Sequence, residues 1–187
     1  MNHPALLALV IACGVLMWLE RRGVRTTLAL KFKGDVKRES RWSAQYGQAA
    51  CTAVVVVLIW QLDPPRRPAA IALALTSAAT SILSMILKRL LGRVRPGRPN
   101  AGRFLGPTWK HANFRESFPS SHSANAVALT VFLAYLYPQG AIVFWALALL
   151  CAALRYLLDA HWPSDVLGGI AFGYLIAHEA IFHLKVR

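Results

Sequence analysis

The sequence predicts an all-α fold, a six-helix transmembrane bundle with a candidate active site at one membrane face. Three observations carry that prediction. The 187 residues are 56% hydrophobic and 16% charged, with a mean hydropathy of +0.44, against roughly 45–50% and roughly 25% in soluble domains. The apolar residues come in blocks that approach or reach the ~20 residues a helix needs to cross a bilayer. The basic residues, part of a net charge of +13, lie between those blocks, which excludes a DNA-binding surface and fits topology determinants beside a membrane. Cys13, Cys51 and Cys151 all sit inside apolar blocks, with neither metal-ligand spacing nor a disulfide framework.

The chain reads as a single integral membrane domain over 1–187 with candidate helices at 4–19, 43–62, 68–91, 120–137, 141–158 and 164–184. The start, Met1-Asn2-His3-Pro4, has no basic n-region and no small-residue cleavage site follows, so the first block reads as a retained helix. It ends at Trp18, before Glu20-Arg21-Arg22. Residues 20–43 are polar and basic, with a turn or two of interfacial helix expected at 27–32. Trp42 and Trp60 flank the second helix as aromatic anchors. A Pro-rich connection, 63–68, leads to the third, with Pro68 at a helix start. Residues 92–118 form the longest loop, shaped by Gly92, Pro96, Gly97 and Pro99. The fourth helix opens at Ser120 and ends at Tyr137-Pro138, the fifth follows Gln139-Gly140, and the sixth follows His161-Trp162-Pro163. In that last helix the Gly169-x-x-x-Gly173 pair lets another helix approach closely. Six spans put residues 20–43, 92–118 and 159–163 on one face.

Polar residues at membrane depth are costly and tend to be functional, and several converge on that face. Lys88 ends the third helix and Arg95 follows it; Ser120, Ser121 and His122 open the fourth; Arg155 closes the fifth; His161 and Asp165 flank the start of the sixth. This set reads as a phosphate pocket. Positioned cations stabilise the charge that spreads over a phosphoryl group in its five-coordinate state. Arg95 and Arg155 offer bidentate forks and Lys88 a compact charge. The backbone N–H groups of Ser121 and His122, with the Ser120 hydroxyl beside them, form a helix N-terminus that binds anions. Of two histidines, one attacks phosphorus and the other protonates the departing oxygen. With Ser164 as a plausible N-cap, Asp165 in the first turn folds back towards His161 and holds the ring by a hydrogen bond. The scheme calls for no metal and no other cofactor.

Lys88-x6-Arg95-Pro96, Pro119-Ser120-Ser121-His122 and Arg155-x5-His161-x3-Asp165 resemble the three-part signature of the type 2 phosphatidic acid phosphatases, a superfamily that also holds vanadium haloperoxidases and bacterial acid phosphatases. Order, spacing and placement on helices agree, and the motifs span 88–165. The resemblance implies His161 as nucleophile, Asp165 as its orienting partner and His122 as general acid. It implies Lys88, Arg95, Ser120, Ser121 and Arg155 as the phosphate-binding set. Two positions depart: Ser121 stands where the family often has Gly, and Leu154 where it usually has Ser. His111 and Arg115 are read as solvated loop residues that can reach a head group, and Arg93, Arg98 and Arg103 are left outside the site. His178, Glu179 and His183, on the far face, read as interfacial polar residues rather than a metal cluster.

The expected function is hydrolysis of a lipid phosphate monoester or diphosphate through a phosphohistidine, with a membrane lipid phosphate as substrate, the bilayer as surroundings and no nucleic acid partner. Alternatives are a vanadate-dependent haloperoxidase and a non-catalytic lipid-binding or transport protein of the same fold. Seventeen of the 21 Lys and Arg residues lie on the site-bearing face, leaving Arg66, Arg67, Lys185 and Arg187 for the other. The positive-inside rule therefore points to the cytoplasm, whereas the resemblance implies an outward-facing site.

Overall fold

The computed structural model describes residues 3–28, 30 and 32–184. Among the described residues seven α-helices follow one another: α1 (His3–Arg21), α2 (Gly34–Ser43), α3 (Ala49–Leu62), α4 (Arg67–Leu91), α5 (Ser121–Leu136), α6 (Ala141–Leu157) and α7 (Pro163–His183). Among the described residues a lone bridge between Arg93 and Phe104 is the sole strand-like pairing. The protein is a multi-pass membrane protein. Four of its helical segments are long and apolar enough to cross a bilayer, five if the bent pair 34–62 is one span. The predicted six spans are thus approximate, because α5 has only 16 residues, about 24 Å at 1.5 Å per residue. That helix nevertheless forms the core. It packs on α4, α6 and α7 and buries Ala124, Val127, Leu129 and Phe132. Leu7, Val10, Ile11, Val54, Leu75 and Ile142 remain exposed on the outer helices, as lipid-facing positions should.

The predicted second helix, 43–62, is a correction. Residues 34–43 form α2, a polar helix with Asp35 in its first turn and Arg41 in its last, complementing the helix dipole. A 3-10 turn, Ala44–Gly47, follows, Gln48 is extended, and α3 leaves at an angle of 54°. The break has a packing cause. The 3-10 turn wedges against α5 and α6, Cys151 Sγ donates to Ala44 O at 3.3 Å, and any Cβ on Gly47 would collide with the His122 carbonyl. The stretch 27–32, expected to hold interfacial helix, falls partly outside the described residues, and Val24–Leu28 are not helical. Lys185 and Arg187, two of the basic residues assigned to the far face, also lie outside them.

Two features set the remaining geometry. At the far end Tyr137 Oη donates to Asp63 at 2.9 Å and Arg66 pairs with the same carboxylate at 2.6 Å, tying the α3–α4 turn to the end of α5. Within the bundle, Gly169 and Gly173 bring α7 against the backbone of α5: a Cβ on Gly169 would strike Ser120 O, and one on Gly173 would strike Ala124 O. The small-residue pair thus sets the spacing of the two helices that carry His122 and Asp165. Gly173→Leu is expected to lower the thermal midpoint in detergent, at a cost of about 1–3 kcal/mol or more from overpacking. An unchanged midpoint would show that the contact is loose.

Candidate active site

The α4 C-terminus, the α5 N-terminus, the α6 C-terminus and the α7 N-terminus meet at one end of the bundle, with the 92–118 loop folded over them. Gly92, in the left-handed region at φ 62°, ends α4 with its N–H on Lys88 O. The loop then tucks inward. Arg95 spreads its guanidinium over three carbonyls, Asn113 O and Ala160 O at 2.7 Å and Glu116 O at 3.2 Å. One side chain so fastens the loop to the α6–α7 connection, and Trp162 Nε1 repeats the tie to Val94 O at 3.0 Å. Glu116, nearly buried, accepts from Ala112 N–H at 3.0 Å and pairs with His111 at 2.9 Å. Burial alone would raise its carboxyl, but these bonds hold it below the ordinary range. Arg115 donates to Gly106 O at 2.5 Å. His111 and Arg115, left as solvated loop residues, therefore act as loop fasteners.

Lys88 is 8% exposed and donates to Ser121 Oγ at 3.1 Å. The serine that replaces the expected Gly thus anchors the lysine. Ser120 is the N-cap of α5, its Oγ accepting from Ser123 N–H at 3.4 Å and from Ser123 Oγ at 2.9 Å. Its oxygen accepts twice within the first turn while its O–H is left to donate, and the first-turn N–H groups of Ser121 and His122 are the ones that precede the intrahelical ladder. His122 stands 3.4 Å from the Gln48 amide, and the charges of Arg155, Lys88 and Arg95 all act on it. Arg155 makes no side-chain hydrogen bond among the described residues, and its Nε is buried without a partner. It is a cation free to meet an anion.

His161 is 1% exposed. Its Nε2 lies 3.4 Å from Arg95 Nη1, and its Nδ1 faces Asp165 Oδ2 at 3.7 Å. The expected His161–Asp165 hydrogen bond is therefore corrected to a longer contact between a neutral ring and the carboxylate, since 3.7 Å exceeds hydrogen-bonding range. The carboxylate is otherwise occupied: Oδ1 accepts from Arg93 Nη1 at 2.5 Å, and Oδ2 from Ser117 Oγ at 2.5 Å and Trp162 N–H at 2.9 Å. Burial pushes the imidazole down to about 3, with Arg95 and Lys88 acting in the same direction and Asp165 opposing. The ring is neutral, with a lone pair available for bonding at neutral pH. The cap of α7 is also corrected. Trp162 is the N-cap, and the Asp165 carboxylate at N3 accepts from its backbone N–H at 2.9 Å. Ser164, expected to cap, donates its hydroxyl to Glu20 instead.

All eight residues predicted for the site, Lys88, Arg95, Ser120, Ser121, His122, Arg155, His161 and Asp165, lie at this end. Three neighbours escaped the sequence reading. Gln48 sat inside an apparently continuous helix, Glu20 looked like part of a polar helix end, and Arg93 was set aside as a loop cation. Arg93 is 1% exposed and bonded to Glu20, Ser164 and Asp165; its missed signal was a charge one turn from Lys88 in a loop rich in glycine and proline. His178, Glu179 and His183 are exposed and pair among themselves. Among the described residues no group of three or more His, Cys, Asp or Glu side chains is arranged to hold a metal ion.

Residues 69–185 match the PAP2 superfamily. Lipid A 1-phosphatase of Rhizobium etli is 40% identical over 100 residues, 52% of this chain and 43% of that protein. Lipid A 4'-phosphatase of Bacteroides thetaiotaomicron is 31% identical over 131 residues, 62% of this chain and 56% of that protein. Phosphatidylglycerophosphatase B of Bacillus subtilis is 30% identical over 106 residues, 51% and 48% of the two chains. The chain spans about half the length of these relatives. Its fold matches the crystal structure of a transmembrane PAP2 type phosphatidylglycerolphosphate phosphatase from Bacillus subtilis, with a TM-score of 0.66, 21% identity, and coverage of 97% of this chain and 94% of that one.

The depressed His161 has a consequence for stability. Between its folded value of about 3 and the ordinary 6.5 the unfolded chain binds more protons than the native one. The fold therefore loses stability as pH falls through that window and is unaffected by this group above it. Melting in detergent is expected to drop between pH 6.5 and 4, and less steeply in His161→Asn. Parallel pH profiles would show that the ring titrates normally.

Proposed function

The chain belongs to the PAP2 superfamily, and from that premise we propose that it is an integral membrane phosphatase releasing phosphate from a lipid phosphate monoester or diphosphate. The observation that carries the proposal is convergence. A buried neutral imidazole, His161, stands 3.4 Å from Arg95, while Lys88 and Arg155 reach the same end of the bundle beside a second imidazole, His122. An anion held there neutralises cations that have few acidic partners of their own.

In this reaction Lys88, Arg95, Arg155, the Ser120 hydroxyl and the Ser121 and His122 N–H groups hold the phosphoryl oxygens. His161 Nε2 attacks phosphorus while Nδ1–H points towards Asp165. The N–P bond forms as the P–O bond to the lipid breaks, and the departing oxygen takes the proton that His122 carries as an imidazolium once the phosphate anion offsets the cations around it. A water molecule then attacks phosphorus and gives one proton to His122; the N–P bond breaks, phosphate leaves and His161 is restored. The cations do the electrostatic work of the transition state, so the proposed reaction is independent of metal.

A lipid substrate is supported by a groove of about 460 Å³ between α3 and α4, lined by Ala49, Ala53, Val56, Val57, Ala74 and Ala78 among others. It begins one residue from Gln48, the neighbour of His122, so a head group in the cradle leaves its chains beside apolar walls. The relatives' names suggest lipid A and phosphatidylglycerol phosphates as the first to test. The excess of basic residues on the site-bearing face supports a cytoplasmic orientation.

Phosphate release in detergent from lipid A, phosphatidylglycerophosphate, phosphatidic acid and a polyprenyl diphosphate is the deciding assay. At least one is expected to turn over, with vanadate competing and chelators without effect, while His161→Ala loses all activity yet melts like the wild type. Turnover surviving in His161→Ala, or restored by Mg²⁺ after chelation, would refute the mechanism. For orientation, a cysteine tag at 92–118 in intact cells should resist an impermeant reagent; labelling from outside would reverse the assignment.

A further inference from the structure

The proposed mechanism uses Asp165 but says nothing of what stands behind it. Arg93 lies between two carboxylates, its Nη1 on Asp165 Oδ1 at 2.5 Å and its Nη2 on Glu20 Oε2 at 2.6 Å, with all three side chains at most 1% exposed. Ser164 locks the group: its Oγ is 2.7 Å from Arg93 Nη1 and donates to Glu20 Oε2. Glu20 Oε1 accepts from Thr26 Oγ1 at 3.2 Å and from Ser164 N–H at 3.3 Å. The rings of Phe104 and Trp162 flank the guanidinium at 5.4 and 5.5 Å. Glu20 closes α1, so this chain of contacts runs from the first helix to the carboxylate facing His161.

The charges explain why a second acid is there. An arginine bonded directly to Asp165 cancels most of the field that carboxylate would exert on a third group, and more so away from water. His161 carries no charge at rest but becomes cationic once phosphorylated, beside Arg95 and Lys88, which already oppose a positive ring. With Glu20 on the far side of the guanidinium, the buried trio keeps one net negative charge. We propose that Glu20 is a positioning residue, acting through Arg93 and Asp165 to keep the trio anionic and so stabilise the phosphorylated His161 ring. This rests on the phosphatase reading above, and it assigns α1 a part in the chemistry beyond anchoring.

A lipid phosphate meets Lys88, Arg95 and Arg155, not Glu20, so the effect belongs in kcat and not in KM. Steady-state phosphate release in detergent, with melting measured on each protein, compares wild type with Glu20→Gln, Glu20→Asp and Glu20→Gln/Arg93→Met. Glu20→Gln leaves the trio neutral and is expected to lower kcat on the order of ten- to a hundredfold, with KM within about twofold. Glu20→Asp keeps the charge and should retain most of kcat. The double variant returns the net charge to −1 and should exceed Glu20→Gln by about threefold or more. A merely structural Glu20 predicts the opposite order, with the double variant worst and Glu20→Asp as impaired as Glu20→Gln. That order, or a wild-type kcat in Glu20→Gln, overturns the inference and leaves the phosphatase reading intact. If Glu20→Gln does not fold, Glu20→Asp and the double variant decide: retained turnover in both supports the charge role, and loss in either folded protein ends it. A wild-type protein that releases no phosphate from any lipid tested ends both proposals.

Discussion

The burial of Arg93 is the constraint on which the rest of the structure depends. A guanidinium taken out of water at the base of a helix bundle costs several kcal/mol unless its charge is met, and here two carboxylates meet the charge and, with a hydroxyl, take up both Nη groups, leaving Nε without a partner. To do so, three stretches far apart in sequence must come together: the end of α1, the turn after α4 and the start of α7. The loop over the site, the cap of α7 and the seat of α1 are thereby settled by one interaction. Arg95, two residues on, then fastens the loop to the α6–α7 connection through three carbonyls.

The α5–α7 contact is the second constraint. Glycines at 169 and 173 leave no space between α7 and the α5 backbone, so the first turn of α5 and Asp165 share one rigid frame, sealed by Ser120 N–H on Asp165 O at 3.0 Å. The part of the cradle carried by Ser121, His122 and Asp165 is thus built on helices, which favours a fixed geometry, while Arg95 and His161 stand on the connections fastened over it. The α3–α4 side is built differently. A groove lined by alanines, valines and a few hydroxyl side chains opens between the two helices, with Thr52 Oγ1 buried there without a partner, and Asp63, Arg66 and Tyr137 latch them at their far end. On the proposed function, chemistry belongs to the tight side and room for a hydrophobic guest to the open one.

How much of this could be read in advance follows from which physical signals are local. Helix ends were legible because hydropathy changes there, and Lys88, His122, Arg155 and Asp165 each stand within a turn or so of such an end. Gly169 and Gly173 were legible because small residues at that spacing mean close approach. The break at 44–48 was not, since the apolar run from 49 onward continues smoothly and the wedge is forced by a carbonyl of a helix 75 residues away. Glu20 and Arg93 were missed for the same reason: nothing local to either reveals a partner in another segment. Ser164 was misjudged because it has the chemistry of a cap, yet Trp162 supplies the backbone position and Asp165 the acceptor for its N–H.

The stretch that matches the family in sequence begins at residue 69, and Glu20 falls outside it, though the shared fold covers 97% of the chain. On the proposed role of Glu20, homologues compared over that stretch alone would look interchangeable at His161 and Asp165 while differing in whether the opening helix brings an acid to the bridging arginine. An exchange of first helices between such proteins would then transplant an electrostatic setting along with a membrane anchor.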